Sequence, residues 1–420
     1  MSLNSTPGAE RIHIGIFGKR NAGKSSIINA VTGQDLAMVS EVSGTTTDPV
    51  QKAMELLPLG PVLMIDTPGL DDTGELGKLR VKKSYQVLNK TDIAILVVDG
   101  ADGISAEDLA ILKRIREKEI PCLIVMNKAD EVSGASGPED PIFAESVRKI
   151  SVTTAVRPEN ILWVSAVKKW HINELKERIA AIYKAPDEKL RVVGDLLDPG
   201  DIAVLVIPID KAAPKGRLIL PQQQTIRDVL EADATAVMCK EYELRETLEN
   251  LKKKPKIVIT DSQVFAKVAA DTPKDIWMTS FSILMARYKG DLEELVKGVT
   301  ELDRLRDGDT VLISEGCTHH RQCDDIGSVK IPRWIREYCG ADLKFEFTSG
   351  TEFPDDLSSY RMIVHCGGCM LNRREMKYRI RCAHDAGIPI TNYGVLIAYI
   401  QGILKRSVEP FPSVAMWLEE

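Results

Sequence analysis

The sequence predicts an α/β chain of three domains built on mainly parallel sheets. Three observations lead there. At 420 residues the chain exceeds what one ordinary hydrophobic core holds. Short β-branched apolar runs alternate with amphipathic stretches, the pattern of strands covered by helices on both faces. The alternation also pauses twice, at the polar, proline-containing KAPDEKLRVV (184–193) and around Asp271–Lys274, giving domains 1–185, 186–273 and 274–420.

In the first round IHIGIF (12–17), PVLMID (61–66), DIAILVVD (92–99), PCLIVMN (121–127) and NILWVS (160–165) read as buried strands, each flanked by turn residues. Between them AEDLAILKRIREKE (106–119) has helical periodicity. In the second round DIAVLVIPI (201–209), TAVMC (235–239) and KIVIT (256–260) are strands, with helices at 224–232, 242–254 and 262–270. A long helical stretch (282–302) leads into the third, where TVLISEG (310–316), RMIVHC (361–366) and the weaker GIPIT (387–391) are strands and 372–387 is a helix.

A composition of 44% hydrophobic and 28% charged residues is that of a globular protein. The net charge of −6 argues against a dedicated nucleic-acid binder. The first 18 residues lack the basic start and apolar core of a secretory signal, and no apolar run has the length of a membrane span, so a cytoplasmic location is expected. The eight cysteines are then expected to be packing residues or ligands, not disulfides.

The first chemical signal is GKRNAGKSS (18–26), which fits G-x-x-x-x-G-K-[ST] through Gly18, Gly23, Lys24 and Ser25. It follows a strand and opens a helix. The backbone amides of Asn21, Ala22, Gly23, Lys24, Ser25 and Ser26 can curl around phosphate oxygens, helped by the helix N-terminus. Lys24 adds charge at the outer phosphates, and the Ser25 hydroxyl is a Mg²⁺ ligand. Asp66-Thr67-Pro68-Gly69 follows a second strand, placing a carboxylate for Mg²⁺ and Gly69 to sense a γ-phosphate. Asn127-Lys128-Ala129-Asp130 follows a later one, where Asp130 can accept from both guanine edge nitrogens, and Ser165-Ala166 supplies a last base-contacting loop.

These four ordered motifs resemble the P-loop GTPases over about residues 10–183. The resemblance implies a Ras-like domain that hydrolyses GTP with Mg²⁺, with GTTTDP (44–49) as its first switch and Thr46 as the second Mg²⁺ hydroxyl, Thr45 and Thr47 being the alternatives. After the DTPG motif stands Leu70, where Ras-like enzymes carry a water-positioning glutamine. GTTTD is also similar to the GTTRD of the tRNA-modifying and ribosome-assembly GTPases. In several of those an asparagine at the place of Asn21 ligates K⁺, which implies K⁺ activation here.

The second signal is HCGGC (365–369), at the end of a strand and before a helix, whose N-terminus is expected to stabilise thiolates. Upstream another strand delivers Cys317-Thr318-His319. A thioredoxin-like redox pair would leave Cys317 and both histidines unused. Structural zinc needs four ligands, which Cys317, Cys366, Cys369 and one histidine would supply. An iron–sulfur cluster takes cysteine thiolates, and three of them leave one iron open to exchange.

C-x-H, then 45 residues (320–364), then H-C-x-x-C, downstream of a GTPase domain, resembles the maturation GTPases of FeFe hydrogenases along the whole chain. The resemblance implies a 4Fe–4S cluster on Cys317, Cys366 and Cys369, with His319 and His365 as fourth ligand or supporting residues. It implies a scaffold that receives a di-iron precursor from two radical-SAM maturases and hands it to apo FeFe-hydrogenase, with nucleotide state gating partner association. It also implies self-association through the middle domain, for which strands such as VLVIPI offer an edge. Cys323 can reach such a site, and Glu315 and Asp324 are oxygen donors near it. Two other readings remain: a redox-sensing iron–sulfur GTPase, and a ribosome- or tRNA-linked GTPase holding zinc.

Overall fold

The computed structural model describes residues 6–33, 50–69, 81, 83–134, 136–183, 191–209, 218–316, 325–350 and 352–418. The chain separates into two compact units, residues 1–186 and 187–420.

The first unit holds strands β1 (Ile12–Phe17), β2 (Val50–Leu56), β3 (Gly60–Asp66), β4 (Ile93–Asp99), β5 (Cys122–Asn127) and β6 (Ile161–Trp163). Helices α1 (Lys24–Thr32), α2 (Ala106–Glu117), α3 (Pro141–Thr154) and α4 (Ile172–Ile182) connect them. The strands run in the order β2-β3-β1-β4-β5-β6, parallel except for the β2–β3 pair. Side chains alternate across a strand, so β1 feeds both faces. Ile14 and Ile16 pack with Ile27 and Ile28 of α1 and Leu175 and Ile179 of α4, while Phe17 joins Ile111, Ile115, Phe143 and Trp163 on the other face. Parallel strands with both faces covered set their carboxyl ends side by side, and there the phosphate- and base-facing loops emerge.

The second unit contains two four-stranded sheets. One has strands β7 (Ile202–Val206), β8 (Thr235–Cys239), β9 (Ile257–Thr260) and β10 (Trp277–Ser280) in the order β10-β9-β7-β8. The other has β11 (Thr310–Ser314), β12 (Lys344–Thr348), β13 (Met362–His365) and β14 (Ile390–Asn392) in the order β12-β11-β13-β14. Every pairing in both sheets is parallel. The helices are α5 (Leu220–Glu231), α6 (Leu244–Asn250), α7 (Phe265–Asp271), α8 (Phe281–Lys289), α9 (Leu292–Val299), α10 (Ile331–Cys339), α11 (Arg373–Asp385), α12 (Tyr393–Ile400), α13 (Leu404–Val408) and α14 (Pro412–Ala415). One continuous apolar core joins the sheets, from Val204 and Ile259 through Leu284 and Leu295 to Ile313 and Val364.

Three sequence expectations change here. The middle sheet runs past residue 273, because β10 pairs with β9 through Trp277↔Ile257 and Ser280↔Thr260. The stretch 282–302 is two helices and a 3-10 turn: Gly290 ends α8 and Asp291 caps α9 by accepting from the Glu294 amide. VLVIPI is no edge, since β7 lies between β9 and β8. The edges of that sheet are β8 and β10. Among the described residues no helix is long and apolar enough to cross a membrane.

Candidate nucleotide and cysteine sites

The nucleotide loop is shaped by its backbone. Gly18 has φ +145°, and a Cβ there would lie 2.1 Å from the Val97 carbonyl oxygen. Gly23 has φ +90°, and a Cβ there would lie 2.1 Å from Asn127 Nδ2. Asn21 also adopts positive φ, 60°, which asparagine tolerates better than most residues. Gly23 provides no side chain to cap α1, so the amides of its first turn remain for an anion. The Lys24 ammonium curls back over the loop and donates to the carbonyls of Gly18 (2.9 Å) and Lys19 (2.7 Å).

Ser25 Oγ donates to Asp66 Oδ2 at 2.6 Å. The other carboxylate oxygen of Asp66 is buried without a hydrogen-bond partner. Burial pushes the Asp66 carboxyl above the ordinary range, against the Ser25 hydrogen bond and the charge of Lys24. A hydroxyl paired with a half-satisfied buried carboxylate is a donor set that fits Mg²⁺. Thr67 fixes the start of the DTPG turn on β1 by donating to the Ile16 carbonyl, 2.7 Å from its hydroxyl. Gly69 ends this described stretch; Leu70 and Thr46 lie outside the described residues.

Asn127 is buried and ties two loops together: Nδ2 donates to the Ala22 carbonyl (3.0 Å), and Oδ1 accepts from the Ala166 amide (3.2 Å). Lys128 pairs with Asp99 at 2.5 Å, which raises its pKa. Asp130 sits in the 3-10 turn Ala129–Glu131, held where the Ala129 amide meets the Val164 carbonyl. Buried Ser165 accepts the Lys168 amide at 3.0 Å, so its hydroxyl orders its own loop. Sequence reasoning missed Asp99 and Asp108, which flank the cleft beside Lys19 and Arg20. Asp108 forms a capping box with Ser105 on α2, and burial raises its pKa.

The cysteine site begins with a pairing the sequence could not show. β11 and β13 are adjacent and parallel, with Ser314 opposite His365, so their carboxyl ends lie together. There the Cys366 amide donates to the Ser314 carbonyl (2.9 Å), and the Gly316 and Gly368 amides donate to Cys366 Sγ (3.0 and 3.4 Å). Cys366 and Cys369 are half-buried thiols outside any disulfide. Burial first, and then the neighbouring Cys366, raise the Cys369 pKa. Cys317, His319, Cys323 and Asp324 lie outside the described residues. Among the described residues no three metal-ligating side chains converge. The two thiols, one already accepting amide hydrogen bonds at sulfur, fit thiolate ligation of an iron–sulfur group.

Asn372 caps α11 by accepting the Glu375 amide, and the Gly316 and Gly368 amides meet Cys366 Sγ. Of the two roles expected of His365, ligand or support, its hydrogen bonds fit support. It is fully buried; Nε2 lies 3.0 Å from an Arg379 nitrogen and Nδ1 lies 2.7 Å from the Cys366 carbonyl. A guanidinium only donates, so Nε2 accepts and Nδ1 carries the proton. The ring therefore supports the loop.

Arg379 is itself wholly buried and also donates to Glu375 (3.0 Å), Ser314 Oγ (3.2 Å) and the Gly350 carbonyl (2.8 Å). Removing one partner of such a buried pair costs about 3–5 kcal/mol. Glu315, next to Ser314, accepts from the Tyr393 hydroxyl at 3.2 Å. Neither Arg379 nor Tyr393 belongs to a motif; only the packing of α11 and the start of α12 beside β11 and β13 makes them part of the site.

Three family models match the chain. Residues 13–128 match the 50S ribosome-binding GTPase, residues 192–290 the hydrogen maturase F dimerization domain, and residues 293–410 the hydrogen maturase F tetramerization domain. Among curated proteins, the tRNA modification GTPase MnmE of Laribacter hongkongensis is 36% identical over 129 residues, covering 30% of this chain and 28% of that protein. MnmE of Clostridioides difficile is 28% identical over 171 residues, covering 40% of this chain and 34% of that protein. The chain thus spans no more than about a third of the length of these relatives. Among solved structures, Aquifex aeolicus Era bound to GDP and AlF4⁻ is 20% identical, covers 55% of this chain and 94% of that chain, and has a TM-score of 0.35.

Proposed function

Because the chain belongs to the hydrogen maturase F family, whose two domain models together span more than half of it, we propose that it is a GTP-hydrolysing scaffold for hydrogenase maturation. In this reading it binds a 4Fe–4S cluster, receives a di-iron precursor from radical-SAM maturases and transfers it to apo FeFe-hydrogenase. The observation that carries the reading is the adjacency of β11 and β13, which sets the described end of the first, residues 314–316, beside the HCGGC loop.

At the nucleotide loop, the amides of residues 21–26 bind the phosphates, and Lys24 turns from two loop carbonyls to the β and γ oxygens. Asp130, with Ser165 and Ala166, reads guanine. Ser25, Asp66 and Thr46 would hold Mg²⁺, which supplies charge neutralisation between the outer phosphates. Asn21 would hold K⁺, which supplies the positive charge an arginine finger brings elsewhere. Hydrolysis faster in K⁺ than in Na⁺ at equal ionic strength supports that role, and equal rates remove it.

At the second site Cys317, Cys366 and Cys369 would hold the cluster, which supplies an iron position open to exchange. His365 and Arg379 keep the loop in place. GTP binding and hydrolysis order and release switch loops, and that change gates partner association. Self-association uses the β8 edge, where Met238 is 56% and nearby Tyr242 78% exposed.

The test is iron, sulfide and zinc analysis of anaerobically purified protein with EPR of the reduced form. About four irons per chain and a reduced-cluster signal support the reading. One zinc per chain without sulfide overturns it.

A further inference from the structure

Between β13 and α11 the chain (366–372) is a partly buried loop, and its carbonyls need donors. Three of them converge on one group. The ammonium of Lys289 donates to the carbonyls of Gly368 (3.3 Å), Cys369 (3.1 Å) and Leu371 (3.0 Å). Lys289 is only 3% exposed. An ammonium has three N–H donors, and here three loop carbonyls meet them. Lysine is among the residues least often buried, so this placement needs such satisfaction.

The residue is delivered from far away in sequence. It closes α8, whose negative helix end favours a cation in the last turn. The following Gly290 packs closely on the helix after the loop, since a Cβ there would lie 3.0 Å from Ile380 Cδ1. The start and end of the cysteine loop therefore have different anchors. Arg379 acts through His365 on the Cys366 carbonyl, and Lys289 binds the carbonyls from Gly368 to Leu371.

We propose that Lys289 is a positioning residue for the iron–sulfur site, holding the Gly368–Leu371 turn in one shape and setting a fixed positive charge against the thiolate-bound group. The proposal rests on the ligand assignment of Cys317, Cys366 and Cys369 made above. A cluster on three thiolates is anionic and gains a further negative charge on one-electron reduction. Its potential responds to net charge and hydrogen bonding around it. A buried cation is poorly screened by water and favours the reduced form.

The test uses the full chain with Lys289→Met, which keeps length and removes charge, and Lys289→Arg, which keeps charge. In the cluster-free protein, hydrogen–deuterium exchange of residues 367–371 should be at least tenfold faster in Lys289→Met than in the parent. After anaerobic reconstitution, an EPR-monitored dithionite titration should show the Lys289→Met midpoint lowered by a factor of ten in the reduction equilibrium, about 59 mV for one electron. The Lys289→Arg midpoint should stay with the parent's. Parental exchange in Lys289→Met overturns the clamp, and a parental midpoint overturns the charge role. If Lys289→Met takes up no iron, the exchange rates of the cluster-free chain decide. A parent that itself takes up no iron sinks the ligand assignment, while the exchange comparison still decides the clamp.

Discussion

The nucleotide loop and the cysteine loop both emerge from the carboxyl ends of parallel strands, yet the balance of what holds them differs. The nucleotide loop is shaped chiefly by its own backbone: Gly18 and Gly23 adopt positive φ in places where any Cβ would collide, and Lys24 and Asn127, from its own and a neighbouring motif, bind its carbonyls. The cysteine loop has one such glycine, Gly368, and is held further by buried cations from elements outside any motif, Lys289 on α8 and Arg379 on α11. A backbone-held site must spell its shape in consecutive residues. A side-chain-held site needs only its ligands in a motif and can draw its supports from anywhere in the fold.

If the two sites are as separate as that contrast implies, each should fail alone. The largest effect is expected from Cys366→Ser or Cys369→Ser, which should take iron per chain to background and leave GTP turnover within twofold of the parent. Loss of turnover together with iron would break the contrast. Lys24→Ala is the reciprocal test. Removing a preorganised phosphate-binding cation should lower GTP hydrolysis by about 10²-fold or more, with iron unchanged.

Glycine substitutions sharpen the comparison. Gly23→Ala puts a Cβ 2.1 Å from Asn127 Nδ2 at φ +90°. The strain, about 1–3 kcal/mol, should weaken GTP binding roughly 5- to 150-fold by isothermal titration. Gly367→Ala in the cysteine loop meets only Ser282 Oγ, at 3.9 Å, and should hold parental iron. Equal sensitivity at both positions would mean that the cysteine loop is also backbone-determined.

The smallest effect is on pH dependence. The folded pKa of Asp66 is raised by burial above its unfolded value, near about 3.9. Its contribution is therefore full below that value and is lost as pH rises through the folded pKa. Without nucleotide and Mg²⁺, Asp66 should contribute a fall in the melting temperature of the N-terminal unit as pH rises above about 4, against the opposite contribution of Asp140 and Glu145, whose pKa values are lowered. Asp66→Asn should remove part of that fall and leave the part due to Asp108, which is shifted the same way. Calorimetry across that range with parent and variant is the check; an identical slope in both excludes Asp66 as the cause.

Legibility in the sequence followed burial. The β1, β4 and β5 segments are almost wholly buried apolar runs, and their positions were plain. β2 and β12 were not seen, because VQKAMEL and KFEFT are edge strands whose exposed faces carry charge. β10, WMTS, is too short to show a period and is a strand only because β9 lies beside it. In the long helical stretch, apolar spacing continues through Gly290–Asp291, which hid the break between α8 and α9.

What the sequence determined by itself was chemistry carried by residue type at fixed spacing. Phosphate binding needs glycines, a lysine and a serine at fixed spacing, and the proposed iron site needs thiols, so both motifs are visible in the chain as written. Only the tertiary structure decided which groups those residues meet. His365, read as ligand or support, has both ring nitrogens occupied by Arg379 and the Cys366 carbonyl. Lys289 looks like the last residue of an ordinary helix, yet it meets carbonyls 79 to 82 residues away. No local pattern encodes such contacts, because they arise where separate segments pack into one core and buried polar groups must find partners there.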